Sequence, residues 1–149
     1  NVDSALAVIT GSDSRVSKAL YRRIASAPDW RRTWLEHLGL TEDTIFRTGM
    51  EIDFDRCIVV AVFGGDSFNT CGYKIEAVHE NENTIVVRFC IIGYQTAGPG
   101  GGAQHVMPYA FVLLPKTKKA VVLEEITHSL NPSERPSSRE VARLTVDEK

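Results

Sequence analysis

The residues of this 149-residue chain that could do chemistry are three cysteines, four histidines and two glycine-rich stretches. Cys71, beside Gly72, could be a nucleophilic thiol, with His79 or His105 as its base, because a reactive thiolate needs a group that takes its proton. The linear order puts neither histidine next to it, and a structural or surface thiol is the favoured reading. Gly65-Asp66-Ser67-Phe68-Asn69 holds a serine but lacks the closing glycine of a nucleophile elbow. Gly98-Pro99-Gly100-Gly101-Gly102 is the densest glycine run. It lacks the Lys and Ser/Thr of a phosphate loop, and no helical pattern follows it. The histidines show no metal-ligand spacing, and no cysteine lies in a C-x-x-C pair. Glu42, Asp43, Glu51, Asp53 and Asp55 read as solvated acids of a connector. The sequence therefore predicts no catalytic residue, no metal and no cofactor.

What the glycine-rich stretches do form is a pair of polar loops flanked by strands, Asp66 to Cys71 and Gly98 to Gln104. Asn, Thr and Gly are turn residues, so two plain hairpin loops is one reading. The other is two adjacent tips of a sandwich that touch a protein, as variable loops do. On that reading Phe68, Asn69, Thr70 and Gly72 supply the first tip, with Tyr73 as its anchor, and Gly98, Gly100 and Gln104 supply the second.

The elements that must position these loops centre on Cys57-Ile58-Val59-Val60-Ala61-Val62-Phe63, a short β-branched run that reads as a strand buried on both faces. Ala5 to Thr10 is a strand ended by Gly11-Ser12-Asp13-Ser14. Val16 to Ala25 fits either a helix or a strand, and strand is preferred because a better helix start follows. That start is Ser26-Ala27-Pro28-Asp29, with Ser26 as cap, Asp29 as its acidic partner and Pro28 in the first turn. Trp30, Trp34 and Leu38 recur every four residues up to the stop at Gly39. The two tryptophans read as a core anchor rather than a ligand platform, and His37 as hydrogen-bonded packing. Strands follow at Tyr73 to Glu80, with Ile75 and Ala77 on the Tyr73 face, and at Thr84 to Ile92 after an Asn81-Glu82-Asn83 turn. His105 to Leu114 is broken by Pro108, and Lys119 to Ile126 is the last clear strand. From Thr127 the chain turns linker-like, with Val141, Leu144 and Val146 as residues that could dock as a helix or strand.

Composition narrows the classes. Hydrophobic residues make up 43% and charged residues 24%, the balance of one globular domain. A net charge of -2 and a pI near 6.1 argue against a nucleic-acid partner, which would call for a basic face. No apolar run approaches the ~20 residues of a membrane-spanning helix. The chain opens at Asn1, and an export segment upstream of it is expected. Cys57 and Cys90 lie in apolar runs and read as small core residues; three cysteines leave the disulfide pairing open.

In this order the motifs resemble the PrcB C-terminal domain family. The likeness starts at Trp30, Trp34 and His37 and continues through Ile52-Asp53-Phe54 into Val59 to Gly65. It then covers Thr70, Gly72 and Tyr73, Val86-Val87-Arg88, Gly98-Pro99-Gly100, Pro108-Tyr109 and Val112 to Pro115. Cys71 departs from the family's Thr-Gly-Gly-Tyr turn, and the longer Gly101-Gly102 insert is a second departure. The resemblance implies an exported, lipid-anchored or secreted accessory protein that stabilises a subtilisin-like protease, and it defines no catalytic residues. A fainter resemblance, to chagasin-type inhibitors of cysteine proteases, rests on Asn69 to Tyr73 and Gly98 to Gly102.

The expectation is an α+β domain over residues 1–126: a Trp-bearing helix at about 27–38 packed on an antiparallel sheet or sandwich of about six strands at 56–126, followed by a tail over 127–149. Its expected function is non-enzymatic protein binding, the partner being a protease, in an extracytoplasmic setting. The alternatives are a chagasin-like inhibitor, a thiol enzyme using Cys71 and a structural envelope domain.

Overall fold

The computed structural model describes residues 5–41, 51–93, 104–129 and 131–146. Among them the elements follow as β1 (Ala7–Gly11), β2 (Ala19–Ile24), α1 (Ala27–Leu38), β3 (Cys57–Gly64), β4 (Ser67–Phe68), β5 (Thr70–Glu80), β6 (Thr84–Gly93), β7 (His105–Val106), β8 (Tyr109–Pro115), β9 (Ala120–Thr127) and β10 (Ser137–Leu144). One sheet has the order β1-β8-β3-β2, a second β10-β9-β6-β5, and β4 and β7 form a two-residue ribbon. A strand-rich chain with a single described helix falls in the α+β class.

Every side chain from Cys57 to Phe63 is buried, because β3 is an inner strand with a layer on each side. Ile58, Val60 and Val62 face the second sheet and join Val87, Phe89, Val112, Leu114 and Leu123. Val59, Ala61 and Phe63 point the other way, into a cluster with Ile24, Trp30, Tyr109 and Phe111. A period of two with both faces covered is what turns a strand into a continuous apolar run. Each large side chain withdrawn from water there contributes about 1.5–3 kcal/mol.

The helix closes the outer face of the first sheet. Ser26 is extended, and its Oγ accepts the Asp29 amide at 3.3 Å, while the Asp29 carboxylate accepts from Arg32 at 3.0 Å. Gly39 ends the helix in the left-handed region at φ 71. Its amide and that of Leu40 return to the carbonyls of Glu36 and Leu35 at 3.1 and 2.9 Å. The buried residues of the helix are Trp30, Thr33, Leu35 and His37, with Trp34 half-buried, and Leu38, expected on the Trp30 face, is exposed. The cause is helical drift: a four-residue step overshoots a full turn by about 40°, so the spacing 0, 3, 4, 7 keeps to the core.

Three features depart from the expected layout. The strands are not all antiparallel: β6 and β9 pair in parallel, which the long excursion through β7 and β8 between them allows. The register of β5 shifts between Ile75 and Ala77, so Val78 at 1% exposure, rather than Ala77, fills the interior after Tyr73 and Ile75. The segment after Ile126, expected as a tail, contributes β10, paired along β9 from Ser137 to Leu144. Arg23 of β2 fastens that far edge by donating to the carbonyls of Thr117, Lys119 and Leu144 at 2.5, 2.7 and 3.1 Å.

Candidate functional site

At the end of β3 the chain must turn sharply. Gly65 does so at φ 73, where a Cβ would lie 2.8 Å from the Ala19 amide nitrogen. Asp66 N–H then donates to Ser17 O at 3.1 Å. Ser67 and Phe68 form β4 and pair with Val106 and His105 of β7. His105 Nε2 lies 2.7 Å from Asp66 Oδ1, and its ring meets the Phe68 ring at 5.5 Å between centroids. These are exposed partners on a ribbon only two residues long.

Asn69 bends β4 into β5. It stands at φ 55, the one positive value on a described residue other than glycine, a conformation that asparagine tolerates better than most. Its amide donates to Gln104 O at 3.0 Å, and its Oδ1 accepts the Gln104 amide at 2.8 Å. The loop after β3 and the segment entering β7 are thereby joined by two hydrogen bonds.

Thr70 and Gly72 stitch the next turn: Thr70 Oγ1 accepts Gly72 N–H at 3.1 Å and donates to Gly72 O at 3.3 Å. Thr70 pairs with Gly93 and Gly72 with Ile92, which leaves Cys71 as the unpaired residue of a bulge. Its thiol is exposed, and Cys57, Cys71 and Cys90 are all free. Tyr73 re-enters the core, at right angles to the Phe89 ring 5.3 Å away, its hydroxyl against Gly64.

The structure thus divides the residues singled out from sequence. Thr70, Gly72 and Tyr73 are buried and hold the turn. Phe68, 60% exposed, Asn69 and Gln104 come together at the surface. Gly98 and Gly100 lie outside the described residues. Sequence reasoning placed Asp66 in the first loop and weighed His105 only as a base for Cys71; it missed that the two face each other across the ribbon, and it missed Ile91 and Ile92, exposed at the end of β6 alongside Gly72 and Tyr73. The two isoleucines were hidden inside an apolar run that is otherwise core.

His37 is buried, its Nδ1 2.9 Å from Ser14 Oγ, and ringed by Trp34, Phe63, Tyr109 and Phe111. Burial holds its pKa below the usual imidazole value, against a smaller upward pull from Asp13.

Cys90, expected in the core, is buried on the other side of its sheet. Ile85, Val87 and Phe89 fill the interior, so Cys90 alternates outward, where its thiol donates to Glu76 Oε1 at 3.3 Å. Burial, with the Glu76 carboxylate beside it, pushes that thiol up to about 11. His128 Nε2 lies 2.6 Å from the same oxygen. That hydrogen bond, more than any other cause, holds the Glu76 carboxyl below its usual value.

No family model, curated protein or solved structure matches the chain.

Proposed function

We propose that this chain is a non-enzymatic protein-binding module, an accessory to an exported protease, and that Phe68, Asn69 and Gln104 form its contact surface. One observation carries the reading: Phe68 is held 60% exposed on a ribbon whose backbone is locked by the Asn69 and Gln104 hydrogen bonds. An aromatic kept in water on a fixed backbone is the kind of side chain that anchors interfaces. Ordering it before the encounter lowers the entropy lost on binding. Ile91 and Ile92 add apolar surface at the same end of the sandwich, and the Asp66–His105 pair supplies a polar margin.

The resemblance to the PrcB C-terminal domain supports a subtilisin-like protease as partner and an extracytoplasmic setting. It also supports the finer fold reading, a tryptophan-bearing helix laid on a sandwich as one family domain.

Surface plasmon resonance of the full chain against a subtilisin-type protease tests the reading, with papain as a second arm. Binding to the subtilisin-type enzyme should fall by roughly tenfold or more in Phe68→Ala, the loss expected of an aromatic anchor. Equal binding by the variant, or binding to neither enzyme, counts against the proposal. Tight inhibition of papain alone would favour the inhibitor reading over it.

A further inference from the structure

The linear sequence shows no metal-ligand spacing, yet the fold creates one. Glu76 and Cys90 are 14 residues apart and Glu76 and His128 are 52 apart. They arrive from three neighbouring strands: Glu76 from the bulge of β5, Cys90 from β6, and His128 from the residue after β9. One carboxylate oxygen, one sulfur and one imidazole nitrogen lie within 4.8 Å of one another. Glu76 Oε1 is their common point, 3.3 Å from the sulfur and 2.6 Å from the nitrogen. Outward-facing residues of a sheet are ordinarily wet, but Cys90 is only 8% exposed.

We propose that Glu76, Cys90 and His128 form a binding site for a transition-metal dication of the Zn2+ type. A thiolate, an imidazole and a carboxylate suit zinc and its neighbours, whereas calcium and magnesium take oxygen donors. Tetrahedral zinc at ordinary bond lengths holds its donor atoms about 3.3–3.8 Å apart. The Cys90–Glu76 separation already falls there, and the Glu76–His128 pair has to open by about 1 Å. His128 has room to do so, its side chain being half-exposed beyond the end of β9. On binding, the Cys90 proton leaves to solvent and the metal takes its place, so the dication balances one thiolate and one carboxylate. Lys74, across from Cys90 on β5, is the opposing cation; it is exposed and can swing away. Three protein donors leave a fourth position for water. The bound ion would clip the end of β9 to β5 across β6.

Titration of metal-free full chain with Co2+ is the test. One equivalent should bind, with a thiolate-to-cobalt charge-transfer band and the intense visible absorption of a four-coordinate ion, both displaced by Zn2+. The band should vanish in Cys90→Ser and persist in Cys71→Ser. His128→Ala, a change at the surface that keeps the test readable if Cys90→Ser fails to fold, should weaken binding by roughly tenfold or more, since losing even an outer partner of a ligand costs that much. A band absent from the unaltered chain, retained in Cys90→Ser, lost in Cys71→Ser or indifferent to His128→Ala overturns the proposal.

Discussion

Gly72 stands against the backbone of Gly11, close enough that a Cβ on Gly72 would lie 2.7 Å from the Gly11 carbonyl oxygen. This is where the edge strand of one sheet, β1, meets the edge strand of the other, β5. Gly72 also stands at φ 116. Gly72→Ala therefore meets both a steric clash with backbone and a strained dihedral, and should cost about 3 kcal/mol in urea unfolding. A loss below about 0.5 kcal/mol, the size of an ordinary surface change, would contradict the close approach.

The Asn69–Gln104 junction separates backbone strain from hydrogen bonding. Asn69→Ala loses the acceptor for the Gln104 amide and puts alanine at φ 55, so it should destabilise by about 1–2 kcal/mol. Asn69→Gly loses the acceptor alone and should cost less. Hydrogen exchange at the Gln104 amide should speed up in both variants. Unchanged exchange there would mean that the clamp does not hold the ribbon.

Phe68 offers the opposite signature. Its side chain is exposed, so Phe68→Ala should leave unfolding free energy within about 0.5 kcal/mol of the original. Any larger loss, measured by thermal or urea unfolding, would show that the ring supports the ribbon through its contact with His105 rather than being held out for a partner.

The sequence exposed what depends on local periodicity and hid what depends on pairing. β3 was legible because both its faces are covered, so the apolar run is unbroken. Ser26 and Gly39 were legible as caps because their chemistry is local. β10 was not: it is an edge strand whose first four residues are exposed, and only Val141, Ala142 and Leu144 turn towards the core. The bulge at Glu76 leaves no mark in composition, yet it re-aims everything after it. In the tip, Asn69 and Thr70 could be singled out as turn residues. Their division into buried supports and exposed contacts depends on the pairing of β4 with β7, two residues each. Glu76, Cys90 and His128 become neighbours only through the strand order β9-β6-β5.

Arg23 should be worth more than its surface position suggests. From the other sheet, its guanidinium satisfies the carbonyls of Thr117 and Lys119, just before β9, and of Leu144 at the end of β10. Arg23→Ala leaves those acceptors to water at a partly buried seam and should cost about 2 kcal/mol. Arg23→Lys keeps the charge but not the planar fork, and should recover less than half of the loss. Chemical denaturation reads both, and full recovery by lysine would mean that charge rather than geometry holds the seam.

Acid should weaken the fold in two separable windows. His37 is the first: its folded pKa is depressed by burial, so the folded chain resists a proton that the unfolded chain accepts below about pH 6.5. Its contribution to stability is therefore complete above about pH 6.5 and is lost as pH falls from there towards the folded value. Glu76 is the second: its folded pKa is lowered, chiefly by His128, so its contribution is present above about pH 4.5 and is lost only in stronger acid. The urea midpoint should hold steady between about pH 7 and 8 and begin to fall near pH 6.5. His37→Asn, which can still bond Ser14, should flatten the first window and leave the second. A midpoint that falls equally in both proteins between about pH 6.5 and 5 would show that the buried imidazole is not what the fold protects from protonation.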